Sequence, residues 1–250
     1  MTIAERDIMG GLAKGLAVIE TFTAERPRQS IAEVSAACGL DRATTRRCLL
    51  TLAHEGYADY DGKFFTLTPR VLRLGAGCLA AMPLPRLIQP MLDNLSAQIG
   101  ESTSVSILDG SEIVYVARAA QRKVMSIGLM PGSRLPAYCT SMGRVLLAAL
   151  PEAEARERLG PETLPARTAM TLTDPGAIMA ELARVRAQGY AMIDQEIEIG
   201  LRSIAVPLQN IHGRTVAALN VGVPATQTDL AGRFLPALIR VAAEARTILR

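Results

Sequence analysis

The segment from Ser30 to Leu52 constrains the fold most, because it has the pattern of two short helices joined by a tight turn. Ser30 and Glu33 have the spacing of a capping box, which starts a helix. Gly39 suits the left-handed residue that ends a helix, and Asp41 is a good N-cap for the next helix. This order of signals predicts a helix-turn-helix.

The second helix is predicted to have a buried stripe opposite a basic face. The stripe recurs at the spacing i, i+3, i+4, i+7 and consists of Thr45, Cys48, Leu49 and Leu52. No acid lies between Arg42 and His54. A basic outer face at the start of a helix is typical of a recognition helix in the major groove. The candidate DNA-binding residues on this helix are Arg42, Ala43, Thr44, Arg46 and Arg47, with Leu50 also predicted to point outward. The alternative is that these arginines only form a solvated, exposed face of the helix.

The flanking segments extend this motif to a winged helix-turn-helix. Leu12, Leu16 and Ile19 recur at helical spacing and predict a first amphipathic helix that faces the core. After Gly56, two short apolar runs flank an Asp-Gly-Lys turn and predict a hairpin. Lys63 lies at its tip and is a candidate phosphate contact.

Composition limits the other possibilities. The net charge is only +3, and residues 1–75 hold ten Lys and Arg against nine Asp and Glu, so DNA contact must come from local charge placement. Four cysteines without a CxxC spacing and two histidines predict no zinc site or disulfide framework. We therefore expect no metal and no cofactor. No apolar run reaches the roughly 18–20 residues that span a bilayer, and no signal peptide is apparent, which predicts a cytoplasmic protein without membrane contact.

The rest of the chain predicts a second, layered domain. Its predicted elements are helices from Pro85, over 141–150, 177–188 and 229–249, a hairpin over 103–117, and strands near 125–129, 190–194, 203–208 and 216–223. We assign an α+β fold with a DNA-binding domain at 1–68, a linker helix at 69–84 and an effector-binding domain at 85–250.

One loop of this second domain predicts an anion-binding pocket. Residues 134–143 lead into a helix N-terminus, where free amides and the helix dipole attract negative charge. The hydroxyls of Thr140 and Ser141 and the amide of Met142 can hold a carboxylate there, and Ser203 and Asn220 on later strands can close the same cavity. The alternative is that Thr140 or Ser141 is only an N-cap. Arg134 and Tyr138 of the same loop are further candidates.

Two rival functions follow from single features. Asp194 and Glu196 alternate along a predicted strand and can act as an acid–base pair in a small hydrolase or isomerase. Cys139 near the pocket mouth can serve a redox-sensing regulator if its thiolate is exposed. No GxSxG, Walker or GxGxxG motif accompanies either feature.

Four ordered blocks resemble the IclR family of bacterial transcription regulators: GLAKGLAVIETF, AACGLDRATTRRCLLTL, RLPAYCTSMGRVLLAAL and GYAMIDQEIEIGLRSIAVPL. The resemblance covers roughly residues 10–250. It implies a winged helix-turn-helix, a linker helix and a GAF-like effector domain. It also implies double-stranded DNA as a partner and a homodimer formed through the DNA-binding end, which in many members pairs again as a tetramer.

The form LPAYCTSMGRVLLA is closer to the branch that regulates aromatic acid breakdown through the β-ketoadipate route (PcaR-, PcaU- and PobR-like). This implies effectors such as protocatechuate, 4-hydroxybenzoate or β-ketoadipate. Effector contacts in glyoxylate- and pyruvate-sensing relatives fall here on Ser141, Met142, Asp194, Leu201, Ser203, Asn220 and Gly222. The chain departs from those relatives at Met142, Asn220 and Gly222, which disfavours a two- or three-carbon ligand. Glu196 completes the candidate effector-binding set.

Overall fold

A computed structural model of the protein describes residues 4–23, 25–121 and 128–249. By its internal contacts the chain divides into two compact units, with the boundary between Met82 and Pro83.

The N-terminal unit combines helices with a small antiparallel sheet. Its helices are α1 (Gly10–Glu20), α2 (Ile31–Cys38), α3 (Arg42–His54) and α4 (Leu72–Ala81), with 3-10 turns at Glu5–Asp7 and Pro69–Val71. Its strands are β1 (Arg28–Ser30), β2 (Ala58–Tyr60) and β3 (Phe64–Leu67), in the order β1-β3-β2. Helices α2 and α3 and the β2–β3 hairpin therefore form the predicted winged helix-turn-helix.

The predicted capping signals of α2 and α3 are confirmed. The Glu33 amide donates to Ser30 Oγ, and the Ser30 amide donates to the Glu33 carboxylate at 2.7 Å. Gly39 ends α2 with φ 69°, a left-handed conformation that glycine adopts without steric cost. Asp41 caps α3 by accepting from the Thr44 amide at 2.9 Å.

Other predictions for this unit were wrong. Leu12 and Leu16 are 60% and 48% exposed, and Val18 is the buried residue of α1. Apolar residues occur on several sides of α1, so their period alone does not select the buried face. Leu50 is half-buried against the core of the unit instead of pointing outward. No strand was predicted at Arg28–Ser30, which forms strand β1.

The C-terminal unit is built on a six-stranded antiparallel sheet in the order β6-β5-β4-β9-β8-β7. Its strands are β4 (Ser102–Asp109), β5 (Glu112–Ala119), β6 (Arg134–Pro136), β7 (Ala191–Asp194), β8 (Leu201–Gln209) and β9 (Thr215–Pro224). Its helices are α5 (Pro83–Ile99), α6 (Ser141–Ala148), α7 (Glu152–Leu159), α8 (Pro175–Gln188) and α9 (Leu230–Arg246). None of the helices in the described part of the chain is both long and apolar enough to cross a membrane.

Helices cover both faces of this sheet. Helices α5 and α9 pack against each other and against one face, while α6 covers the other face and α8 packs behind α6. Because both faces are covered, the middle strands are buried along both sides. All side chains of α6 are buried, so its polar groups must find partners inside the protein.

Several elements of this unit differ from the predicted ones. Strand β6 lies where a loop was expected, and helix α7 was not predicted. Pro83 and Pro85, at the predicted boundary between linker helix and second domain, lie in the first turn of α5, where proline is tolerated because no intrahelical amide bond is lost. The strand expected at 125–129 falls mostly outside the described residues.

The first turn of α6 approaches the preceding loop so closely that only glycine fits at position 143. A Cβ atom on Gly143 would lie 2.1 Å from the carbonyl oxygen and 2.3 Å from the Cα atom of Ala137. Both are backbone atoms, so no side-chain rotation relieves the overlap.

We expect Gly143→Ala to destabilise the protein by about 1–3 kcal/mol or more, because overpacking forces the backbone to move. In an open helix the same change would stabilise by up to about 1 kcal/mol, so the two cases differ in sign. Urea unfolding followed by circular dichroism measures the effect. Gly222→Ala is the control, because its Cβ would meet Leu201 Cδ1 at an ordinary 3.8 Å. A wild-type unfolding midpoint for Gly143→Ala would contradict the close approach.

Candidate functional site

A cavity lies between α6 and the sheet of the C-terminal unit, and it is called the effector cavity below. The cavity is small, with a volume of about 50 Å³. Residues from all six strands of the sheet, the segment before β6, the start of α6 and the β7–β8 connection form its wall. They are Ser102, Ser104, Tyr115, Arg118, Leu129, Leu135, Thr140, Ser141, Met142, Ile193, Ile197, Glu198, Leu201, Ser203, Asn220 and Gly222.

The structure brings most of the predicted effector residues together in this wall. The residues shared by the prediction and the cavity are Thr140, Ser141, Met142, Leu201, Ser203, Asn220 and Gly222. Thr140 caps α6 by accepting from the Gly143 amide at 3.1 Å, as the capping alternative predicted. The first-turn amides of Ser141 and Met142 have no intrahelical acceptor, so a helix cap and an anion-binding end occur at the same place.

Arg134 and Tyr138 belong to the predicted loop but do not line the cavity. Arg134 lies on β6 with its side chain 44% exposed, and it pairs with Asp109 at 2.8 Å and Glu112 at 2.7 Å. The Tyr138 hydroxyl donates to the carbonyl of Pro165 on another side of the unit. Leu135, the neighbour of Arg134 on β6, does line the cavity, and because side chains alternate along a strand, Arg134 faces the other way.

The predicted acid pair is also divided between two environments. Strand β7 ends at Asp194, and Gln195 follows with φ 60°, so the alternation assumed for Asp194 and Glu196 is broken. Asp194 is half exposed and pairs with Arg202 at 3.3 Å. Glu196 is buried in a bidentate ion pair with Arg144. The two carboxylates therefore do not form the shared acid–base site that the enzyme hypothesis needs.

Nine of the sixteen wall residues were not predicted, and one of them, Arg118, lies there because of a β-bulge. Adjacent residues of β4 pair with Tyr115 and Ala117, so Val116 is an extra residue in β5. A bulge reverses the alternation of the strand. Tyr115 and Arg118 consequently line the same cavity, although simple alternation would place them on opposite faces.

The guanidinium of Arg118 brings positive charge into a poorly solvated site. Burial lowers its pKa, yet an arginine remains charged at neutral pH. Nη1 of Arg118 donates to Ser104 Oγ at 3.0 Å, and within the described residues Arg118 forms no ion pair. Glu198 is the acid of the wall. Tyr115 stays neutral, because burial raises its pKa to about 12.

Other residues of the wall offer hydrogen-bonding groups. The hydroxyls of Ser141 and Ser203 share a hydrogen bond of 2.7 Å, and both residues are buried. Asn220 is 8% exposed, and its Oδ1 atom is buried without a partner in the described structure. A buried acceptor of this kind costs free energy until a donor reaches it.

The helix-turn-helix presents the predicted basic surface. Arg42, Ala43, Arg46 and Arg47 are exposed and Thr44 is half-buried, whereas Thr45 and Leu49 are fully buried. Asp61 holds the turn of the wing: it accepts from the amides of Lys63 and Phe64 at 2.9 and 2.8 Å and pairs with Arg28 at 2.6 Å. These bonds hold the pKa of Asp61 far below its usual range. The ammonium of Lys63 lies 5.0 Å from the centre of the Phe64 ring at the hairpin tip.

Comparisons with known proteins place both units in one family. Residues 11–62 match the IclR helix-turn-helix domain, and residues 76–247 match the C-terminal domain of bacterial IclR transcriptional regulators. The Pca regulon regulatory protein of Pseudomonas putida is 46% identical over 237 residues, covering 93% of this chain and 81% of that protein. The chain belongs to the IclR family.

Solved structures agree with this IclR assignment. A transcriptional regulator from Rhodococcus sp. RHA1 is 44% identical and superposes with a TM-score of 0.78 over 97% of this chain and 98% of that one. A double mutant of the PobR inducer-binding domain from Acinetobacter, solved with 3-hydroxybenzoic acid, is 34% identical with a TM-score of 0.63. It covers 67% of this chain and is itself covered completely.

The redox hypothesis for this IclR-family chain is not supported by the surroundings of Cys139. The residue is fully buried and does not line the effector cavity. Burial raises the pKa of its thiol to about 11. At neutral pH the thiol is therefore protonated and inaccessible, whereas a redox sensor needs an exposed thiolate.

Proposed function

We propose that this IclR-family chain is a cytoplasmic regulator of aromatic catabolism genes whose DNA binding is controlled by a small organic acid in the effector cavity. It acts through binding equilibria and not through catalysis. The observation that carries the proposal is the guanidinium of Arg118, which lines a narrow cavity without an ion-pair partner among the described residues. A carboxylate supplies the missing charge.

Arg118 is suited to this role by geometry as well as charge. A planar guanidinium binds a carboxylate through two parallel hydrogen bonds, and such charge-assisted bonds are among the strongest in proteins. Oγ of Ser104 accepts a hydrogen bond from Nη1 of Arg118 and so orients the remaining N–H donors of the guanidinium. Partial burial strengthens the attraction, because the effective dielectric constant is lower than in water.

A second group of the cavity wall favours a hydroxylated aromatic acid. Oδ1 of Asn220 needs a donor, and a phenolic hydroxyl supplies one, whereas a dicarboxylate at neutral pH has no acidic proton left to donate. The PobR domain solved with 3-hydroxybenzoic acid supports this class. The amides of Ser141 and Met142 favour a second candidate, a dicarboxylate bound between Arg118 and the α6 N-terminus.

We expect Arg118→Gln to weaken effector binding by about 2–5 kcal/mol, because truncating one partner of a buried charge pair leaves the other unpaired. Isothermal titration with 3-hydroxybenzoate, 4-hydroxybenzoate, protocatechuate and β-ketoadipate measures the effect and identifies the class. Arg240→Gln, which removes an exposed arginine bonded to Gln98, is the matched control. Equal affinity of wild type and Arg118→Gln for every ligand bound would exclude the role of Arg118. Absence of binding by the wild type would exclude this effector class.

Helix α3 is proposed to read the operator. Its exposed residues Arg42, Ala43, Arg46 and Arg47 lie at and just after its capped N-terminus, the part of a recognition helix that meets base edges. We propose that Thr44 contacts the phosphate backbone and that Lys63 at the wing tip contacts a neighbouring phosphate. The net charge of the chain contributes little, so specificity depends on these few contacts.

Arg47→Ala and Arg46→Ala are each expected to weaken operator binding by about 1–3 kcal/mol if the arginine reads a base. Fluorescence anisotropy on the operator and on a scrambled duplex at fixed salt separates the cases. Equal losses on both duplexes would assign the arginine to phosphate. Wild-type affinity for both would show that the arginine only solvates an exposed face.

The N-terminal unit carries an apolar groove that we propose is covered by a second copy of the chain. Met9, Leu12 and Leu16 are 74%, 60% and 48% exposed and lie along it, and Leu74 and Tyr57 close its other side. A dimer formed here buries these side chains and presents two recognition helices to a near-palindromic site. A further pairing into tetramers stays a prediction.

We expect the double variant Leu12→Glu/Leu16→Glu to raise the dimer dissociation constant by roughly tenfold or more, because association would bury unpaired charge. Sedimentation velocity across a concentration series measures this constant. Met170→Glu, at an exposed apolar position of the other unit, is the control. A double variant that dimerises as tightly as wild type would exclude this surface.

A further inference from the structure

Arg144 of helix α6 forms a buried ion pair with Glu196 of the β7–β8 connection. The side chains of Arg144 and Glu196 are 4% and 11% exposed. Nη1 and Nη2 of Arg144 donate to the two carboxylate oxygens of Glu196 at 2.7 and 2.6 Å. Neither residue lines the effector cavity.

Stability alone does not account for this pair. Removing two charges from water is costly, and well-packed apolar side chains of similar volume often stabilise a core equally well or better. A buried pair of this kind is better explained by what its directional bonds hold in place.

Those bonds join four segments of the unit. Oε2 of Glu196 accepts from the Leu172 amide at 3.0 Å, and the Glu196 carbonyl accepts from Thr171 Oγ1 at 2.6 Å. Nε of Arg144 donates to the carbonyl of Tyr138 at 3.0 Å. The pair therefore ties α6, the 138–140 loop and the 168–172 segment to the β7–β8 connection.

The β7–β8 connection is strained where the pair holds it. Among the described residues, Gln195 is the one non-glycine residue with a positive φ, at 60°. A non-glycine residue keeps this conformation only where its surroundings fix it. Thr168 Oγ1 donates to the Gln195 carbonyl at 2.7 Å, and Gln195 Oε1 accepts from the Gly200 amide at 3.0 Å. Loss of the neighbouring ion pair removes part of what maintains this conformation.

The strained connection is also a wall of the effector cavity. Ile197 and Glu198, directly after Glu196, line the cavity, and so do Ser141 and Met142, within one turn of Arg144. We propose that Arg144 and Glu196 are positioning residues that hold the 195–200 segment against α6 and so set the width of the effector cavity. The expected effect on ligand affinity rests on the proposed function, whereas the role of the pair in holding the 195–200 segment does not.

The test is the double variant Arg144→Met/Glu196→Leu, which keeps apolar volume in the core but loses the directional bonds. In the full-length protein without ligand, hydrogen exchange followed by mass spectrometry should show amides of 168–173 and 195–201 exchanging roughly tenfold faster or more. Peptides from α9 should be unchanged. The control is Arg156→Met/Glu152→Leu, which removes an exposed ion pair of α7. Unchanged exchange in both segments would overturn the proposal.

Affinity for 3-hydroxybenzoate and 4-hydroxybenzoate provides the second readout. The double variant should bind the ligand that the wild type binds roughly tenfold more weakly or worse, with an unfolding midpoint close to wild type. Faster exchange with unchanged affinity would overturn the claim that the pair sets the cavity. If the wild type binds neither acid but exchange accelerates, the proposed effector class fails and the positioning role stands. Glu196→Gln, which preserves shape and removes one charge, gives the same two readouts should the double variant not fold.

Discussion

The C-terminal unit depends on the burial of α6 against the sheet. Every side chain of this short helix is buried, and its first turn approaches Ala137 so closely that only Gly143 fits. Burial obliges each polar group to find an internal partner. Thr140 caps the helix, Ser141 bonds Ser203, and Arg144 bonds Glu196. The amides of Ser141 and Met142 in the first turn of α6 have no intrahelical acceptor, and both residues line the cavity.

The wall of the effector cavity contains polar groups that lack a partner in the described part of the chain. Arg118 has charge without an ion-pair partner, and Asn220 has a buried acceptor without a donor, both among the described residues. A native core rarely retains such groups, because each costs free energy when buried. A hydroxylated aromatic acid meets both needs at once. Ligand binding can then change DNA affinity only if the bound and free arrangements differ in their affinity for the operator.

Much of the DNA-binding unit could be predicted from the sequence, because caps, turns and a short helix are set by local residues such as Ser30, Gly39 and Asp41. Seven of the sixteen residues of the cavity wall were likewise predicted, from the α6 N-terminus and the family resemblance. Arg118 was not, because the Val116 bulge reverses the alternation of β5 and bulges leave no clear local signal. The pairing of Glu196 with Arg144 depends on residues 52 positions apart, which periodicity does not reveal. The spacing of Leu12, Leu16 and Ile19 predicted an amphipathic helix, but apolar residues occur on several sides of α1, and Leu12 and Leu16 are exposed.

The most direct test of ligand-controlled DNA binding is fluorescence anisotropy of the full-length protein on its own upstream DNA and on a scrambled duplex. The measurement is made at fixed salt, because phosphate contacts make every affinity salt-dependent. It is repeated with 3-hydroxybenzoate, 4-hydroxybenzoate and protocatechuate. A ligand-responsive IclR-family regulator predicts tight binding to the upstream DNA alone and a shift in that affinity with at least one acid. Equal, weak binding to both duplexes, unchanged by any acid, would contradict it.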